Sequence, residues 1–161
     1  MSAVVQAPAP EVRRMREQDL SDVVAIERRA YDFPWTPTVF RDCMRVGYGC
    51  WVLIAEERLV GYLVMSVVAG EGHVLNICID PARHGKGLGR FLLAAGIDHA
   101  KRLGAETLFL EVRPSNTRAV NLYERAGFCE VGVRPEYYPV TAGRREDAMI
   151  LALQLTGVRH V

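Results

Sequence analysis

Three strand-like runs follow one another with almost no chain between them. Cys50 to Glu56, Leu59 to Val68 and His73 to Asp80 are rich in Val, Ile, Leu and aromatic residues, and only Glu57-Arg58 and Ala69 to Gly72 separate them. Connections this short make antiparallel neighbours, because a parallel crossover needs a dozen or more residues. The glycine-rich stretch Arg83 to Arg90 then opens a helix running to about Leu103 and ended by Gly104. Leu88, Leu92, Ala95, His99 and Leu103 are expected along one face of that helix. A strand from Thr107 to Val112 follows, then a helix capped by Ser115 and closed by Gly127. Strands at Cys129 to Arg134 and Asp147 to Leu155 are expected to flank a long loop from Pro135 to Glu146. Ahead of the meander lie a short strand around Val12 to Arg16 and a helix from about Gln18 to Ala30. A break at Tyr31 to Trp35 precedes a second helix, with Thr36 as cap and Pro37 at its first position. The order predicts a mixed α/β sheet rather than an all-parallel one.

The chain has 161 residues, enough for one domain with a proper core. Residues 1–10 read as a mobile tail, 11–156 as the domain and 157–161 as a C-terminal tail. Lys and Arg number 20 against 19 Asp and Glu. That balance argues against a protein held to nucleic acid by bulk positive charge. No apolar run approaches the roughly 18 residues that span a bilayer, and the first ten residues lack a signal-peptide pattern. Cys43, Cys50, Cys78 and Cys129 are scattered, without a CxxC pair, and read as reduced and mostly buried thiols. The dispersed histidines show no metal-ligand spacing. The expectation is a cytoplasmic, metal-free monomer with no membrane contact.

The first chemical signal is His84-Gly85-Lys86-Gly87-Leu88-Gly89-Arg90, placed between a strand and a helix. Glycines let backbone N–H groups turn toward a ligand, and a helix N-terminus adds partial positive charge, so phosphate is favoured. Glycine turns at helix starts are also ordinary structural joints. Lys86 is followed by Gly87 rather than Ser or Thr, which excludes a Walker loop, and Arg90 stands where a dinucleotide fingerprint needs its third glycine.

The second signal is Glu111. Strand alternation puts it on one face with Thr107 and Phe109, at the end of an apolar run where burial would raise a carboxyl pKa. Read from the strand alone, an ion pair with Arg113 or another basic group is the commoner fate. Tyr123, on the following helix, would by itself be a core residue with an edge hydroxyl.

Taken together, these segments resemble the GNAT superfamily of acetyl-CoA-dependent N-acetyltransferases. Arg83 to Arg90 is similar to its pyrophosphate loop, with His84 where Gln or Arg is usual. Leu110-Glu111-Val112-Arg113-x-Ser115-Asn116 with Asn121-Leu122-Tyr123 and Gly127-Phe128 resembles the C-terminal half of its core. Ala30-x-x-Phe33-Pro34-Trp35 and Tyr137-Tyr138-Pro139 with Gly143 and Glu146-Asp147-Ala148 are similar to the RimI-like branch, bacterial ribosomal-protein N-terminal alanine acetyltransferases. The resemblance spans about Val12 to Leu155. It implies the acyl-CoA N-acyltransferase fold, a mostly antiparallel sheet flanked by helices.

It further implies Glu111 as general base and Tyr123 as general acid. Ile77, Cys78 and Ile79 would pair with the pantetheine arm, Gly85, Lys86, Gly87, Leu88, Gly89 and Arg90 would hold the pyrophosphate, and Asn116 would touch the cofactor. Phe33, Trp35, Tyr137 and Tyr138 would flank the acceptor peptide. The implied acceptor is the N-terminus of a ribosomal protein, small-subunit protein eighteen, or of another protein. Lys side chains or a small amine are the alternative acceptors, and a non-catalytic CoA-binding module is a further one. Arg134, Arg144 and Arg145 form a small basic set that reads by default as solvated surface.

An α-amine suits such a site. Its pKa of about 7.7–8.0 leaves roughly a tenth to a sixth of it neutral at pH 7, against about 0.04% of a lysine amine. One modest base therefore suffices, and direct attack needs no covalent enzyme intermediate.

Overall fold

The computed structural model describes residues 8–156; the outer parts of both expected tails, 1–7 and 157–161, lie outside the described residues. The strands are β1 (Glu11–Arg14), β2 (Gly49–Ala55), β3 (Arg58–Val68), β4 (Glu71–Ile79), β5 (Thr107–Val112), β6 (Cys129–Pro139) and β7 (Arg145–Gln154). The helices are α1 (Leu20–Ala30), α2 (Pro37–Arg45), α3 (Leu88–Arg102) and α4 (Thr117–Arg125). One seven-stranded sheet runs in the order β1-β2-β3-β4-β5-β7-β6. Every neighbouring pair is antiparallel except β4 and β5, so the mixed sheet expected from the sequence is the one formed.

Apolar residues line both faces. On one, Leu92, Leu93 and Ala100 of α3 and Tyr123 of α4 pack with Leu63, Met65, Leu108 and Leu110. On the other, Val23, Val24 and Ile26 of α1 and Phe40 of α2 cover Val52, Tyr62, Val64 and Cys78. The alternation along β5 follows: Leu108, Leu110 and Val112 are buried, while Thr107, Phe109 and Glu111 turn to the opposite, half-open face. Gly96 of α3 sits where a Cβ would stand 2.6 Å from Leu63 Cδ2, so a larger residue there would require the buried Leu63 side chain to shift.

The helix ends follow capping chemistry with one correction. Thr36 Oγ1 accepts from the Val39 N–H at 3.4 Å ahead of Pro37, as expected. At α4 the cap is Asn116, not Ser115: Asn116 Oδ1 accepts from the Ala119 N–H at 3.2 Å. Ser115 is engaged elsewhere, its N–H and hydroxyl both donating to Glu146 at 2.9 Å. On α3 the buried stripe is Leu92, Leu93, Gly96 and Ala100; Leu103 lies outside it and is exposed, because the helix ends a residue earlier. Cys129 is likewise exposed, while the other three thiols are buried.

A larger correction concerns the expected loop from Pro135 to Glu146. Most of it is strand, with β6 running to Pro139 and β7 starting at Arg145. Arg134 pairs with Ala148 and Tyr138 with Glu146, so Pro135, Glu136 and Tyr137 together face Asp147 alone. Pro135 has no N–H for the ladder, Glu136 takes a left-handed φ of 49°, and the Glu136 N–H donates to the Asp147 carboxylate at 2.8 Å. The strand bulges and continues.

Candidate active site

The site is built where β4 and β5 part. Their parallel pairing runs from Glu71–Thr107 to Val74–Leu110 and stops. At that point β4 carries a bulge: Met65 pairs with Val74 and Val64 with Asn76, leaving Leu75 as an extra residue. A bulge bends its strand and increases local twist, which turns Asn76 to Ile79 away from β5. Beyond Val74 these residues keep β3 on one side and have no strand on the other. A slot opens between the two strands.

The glycine turn stands at the end of β4. Gly85 and Gly87 have φ of 82° and 77°, and nothing lies within 4 Å of where a Cβ would project at either. The left-handed conformation, which L side chains adopt at a cost, is therefore what calls for glycine here, and the space over the turn is open. Gly87 caps α3 without a side chain, and the Phe91 N–H donates to the Gly87 carbonyl at 3.1 Å. Gly89 packs on Leu122 of α4, 3.4 Å from where its Cβ would stand. The His84 ring lies 3.1 Å from the Ile79 carbonyl through Nε2. A carbonyl only accepts, so Nε2 carries the proton, and the side chain ties the turn to the strand rather than reaching over it. Arg29 of α1 pairs with Asp80 at 3.0 Å, and Asp80 also accepts from the Ala82 N–H. The turn, the strand end and α1 are thus joined. An anionic diphosphate fits this backbone-lined mouth.

Around the slot, Tyr123 is 7% exposed, with its ring 5.8 Å from that of Phe128. Burial holds its phenol well above the ordinary tyrosine range, and the nearby ionisable groups of Tyr138 and Cys78 act in the same direction. Burial also pushes the Cys78 thiol up to about 11, which leaves it protonated and unsuited to nucleophilic attack at neutral pH. Tyr31, just after α1, donates from its hydroxyl to the Ile77 carbonyl at 3.3 Å, within the part of β4 that pairs with β3 alone.

Glu111 lies opposite Ile150 on β7 and is ion-paired with Arg134, Nε to Oε1 2.6 Å. The sequence alternative of an ion pair therefore holds, with Arg134 as partner rather than Arg113. Arg113 instead reaches Glu146 at 3.6 Å and stacks over the Tyr138 ring, 4.5 Å to its centroid. Tyr137 and Tyr138 meet edge to face at 4.9 Å. Burial, and next to it Glu111, raises the phenols of both; Tyr138 is pushed up to about 12. The strand β6 thereby brings the aromatic pair to Glu111, while Tyr123 lies in the apolar layer with Leu108, Leu110 and Val112.

The remaining sequence candidates are less converged. Phe33 is half exposed, and Trp35 packs on Phe40 with ring centroids 5.3 Å apart. Asn116 spends its side-chain oxygen on the helix cap. Lys86 and Arg90 are exposed at the mouth of the glycine turn. Four residues went unnoticed in the sequence: Tyr31, Glu27, Tyr62 and Asn76. Their contacts cross from α1 to the sheet, and no local motif announces them.

The sequence profile of the Acetyltransferase (GNAT) family matches residues 12–128. The chain belongs to the GNAT family of acetyltransferases. Among its relatives is the [ribosomal protein bS18]-alanine N-acetyltransferase of Escherichia coli K12, 39% identical over 145 residues, which span 90% of this chain and 97% of that protein. The protein of the same description from Salmonella typhimurium is 41% identical over 138 residues, 86% of this chain and 93% of the relative. The crystal structure of the Escherichia coli ribosomal-protein-S18-alanine N-acetyltransferase superposes with a TM-score of 0.85 at 37% identity, covering 95% of this chain and 99% of that one.

Proposed function

We propose that this protein transfers the acetyl group of acetyl-CoA to the α-amine of an N-terminal alanine, with the small-subunit ribosomal protein bS18 as acceptor. The observation that carries this reading is the 39% identity to an alanine N-acetyltransferase along nearly the whole of both chains. The parted β4–β5 pair beside an open glycine turn supports it physically. The N–H groups at the start of α3 suit a diphosphate, and the stretch Ile77 to Ile79, paired with β3 but not with β5, offers its open edge to the amide-bearing arm of the coenzyme.

Glu111 takes the proton that the α-amine releases as it attacks the thioester carbon. Tyr123, kept protonated by burial, gives a proton to the departing sulfur. As the amine attacks, a C–N bond forms and the C–S bond breaks. No enzyme nucleophile is used, and Cys78 stays a thiol. Arg134 holds one Glu111 oxygen, so the proton reaches the other oxygen or passes through a water. Phe33 and Trp35 on one side and Tyr137 and Tyr138 on the other flank the acceptor peptide.

The test is acetyl transfer from radiolabelled acetyl-CoA to peptides that begin with Ala, alongside the same peptides blocked at the N-terminus and carrying an internal Lys. Transfer to free alanine termini alone is expected. Transfer to the blocked Lys peptides or to small polyamines, with none to alanine termini, would replace this reading with a different acceptor class.

A further inference from the structure

Glu27 is the most deeply buried charged side chain among the described residues, 2% exposed on the inner face of α1. None of the ion pairs among the described residues involves it. Burying a carboxylate without a cation is costly unless hydrogen bonds replace its hydration. Here three do. Oε1 accepts from the Tyr62 hydroxyl at 2.6 Å and from Asn76 Nδ2 at 2.8 Å, and Oε2 accepts from the Trp35 N–H at 3.0 Å. The donors come from three places: β3, the bulged stretch of β4 and the connection between α1 and α2. Only a group that accepts at both ends satisfies all of them, which a carboxylate does and an amide does not.

We infer that Glu27 is a positioning residue for the acceptor. It fixes the Phe33–Trp35 segment to the wall of the slot at Asn76, so that the segment meets the incoming peptide already ordered. Tyr31 makes a second tie from the same connection to the same wall, through the Ile77 carbonyl. The inference rests on the reading that this segment flanks the acceptor peptide. Ordering a binding loop in advance lowers the cost of binding and leaves the bond-making groups untouched. Losing the tie therefore acts on acceptor affinity more than on turnover.

The experiment compares E27Q with Y62F in the full-length protein. In E27Q the remaining oxygen serves Tyr62 and Asn76, and the new NH₂ confronts the Trp35 N–H, so the segment is released. Expected is a rise of about tenfold in acceptor KM, a kcat within about threefold of wild type and an unchanged Kd for acetyl-CoA. Y62F removes one donor on the far side and is expected to lower thermal stability with acceptor KM retained. An E27Q protein that binds acetyl-CoA normally and keeps its acceptor KM within about twofold overturns the inference, as does an equal KM shift in both variants. Should E27Q fail to fold, Asn76→Ser cuts the same tie at its β4 end. A severalfold rise in acceptor KM there supports the inference, and no change overturns it. The acceptor in every arm is the amine that the wild type modifies, so a wrong substrate assignment appears in the wild type alone and is not confused with a wrong role for Glu27.

Discussion

The guanidinium of Arg134 holds the carboxylate of Glu111 at 2.6 Å, joining the last residues of β5 to the bulge of β6. Arg134 is 55% exposed and Glu111 25%. Such a pair contributes at most about 1 kcal/mol to stability. Its consequence is local: it ties one Glu111 oxygen to β6, while Arg134 also lies over the Tyr137 ring, 5.6 Å to the centroid.

Replacing Arg134 by Ala is therefore expected to leave the melting temperature within a few degrees of wild type, since the lost pair is partly solvated. The same change is expected to lower kcat about three- to tenfold by freeing the Glu111 carboxylate to rotate. Thermal melts and initial rates on one preparation separate the two effects. A large loss of stability with unchanged kcat would make the pair purely structural.

In the proposed reaction, Glu111→Gln and Tyr123→Phe each remove one proton-handling group while keeping side-chain shape. Losses of roughly 10²–10⁴-fold in kcat are expected for each, with acetyl-CoA affinity little changed. Isothermal titration of the coenzyme beside single-turnover rates is the measurement. Wild-type turnover in both variants would remove these residues from the mechanism.

The pH dependence follows from the direction of the Tyr123 shift. Burial raises its phenol well above the ordinary value of about 10, so the proton that the proposed reaction draws from it is present throughout the neutral and mildly alkaline range. The rate should climb as the acceptor α-amine, of pKa about 7.7–8.0, loses its proton, and then stay level to about pH 10. A fall in kcat/KM between about pH 8.5 and 9.5 that Tyr123→Phe abolishes would contradict this assignment.

Gly87 adopts a φ of 77° at the start of α3, with open space where a side chain would project. Alanine there meets no neighbour, yet pays about 1–2 kcal/mol for the left-handed conformation. Gly87→Ala is expected to lower stability by about that amount and to weaken acetyl-CoA binding about tenfold, as backbone N–H groups turn off their aim. Chemical denaturation and coenzyme titration measure both.

Acid sensitivity has an identifiable source at Asp19. Arg13 donates to both of its oxygens at 2.8 Å and the Arg16 N–H adds a third bond at 2.7 Å, which holds the carboxyl below its ordinary range. A carboxyl whose folded pKa is depressed contributes stability that is complete above the unfolded pKa of about 3.9 and is lost as pH falls through the folded value. Asp19→Asn is expected to lower stability at neutral pH and to flatten its decline below about pH 4. Parallel curves for the two proteins would exclude Asp19.

What could be read from the residues was whatever neighbours in sequence decide. Thr36 before Pro37, Gly127 after α4 and the short joints around β3 are local statements, and the structure keeps them. Ser115 and Asn116 both suit a helix cap, and only Glu146, distant in sequence, removes Ser115 from the choice. Pro135 and Glu136 carry the signature of a loop, and the strand survives them because the Asp147 side chain supplies the partner that the ladder lacks. The tyrosines at 137 and 138 stood out only through the family resemblance, as residues expected to flank an acceptor. The tie from Glu27 to Asn76 was not, since it joins residues 49 apart that no periodicity connects.

The extra residue Leu75 in β4 has a consequence for how such sheets change over time. Deleting it would make Met65–Val74 and Val64–Asn76 successive pairs of a regular ladder, so every later side chain would keep its face and Cys78 its place opposite Tyr62, while the bend at the bulge would be lost. A straightened β4 could then zip against β5 along its whole length, closing the cleft into continuous sheet. One codon thus separates a parted sheet from a continuous one, so this position should tolerate exchange of its side chain far better than loss of its backbone.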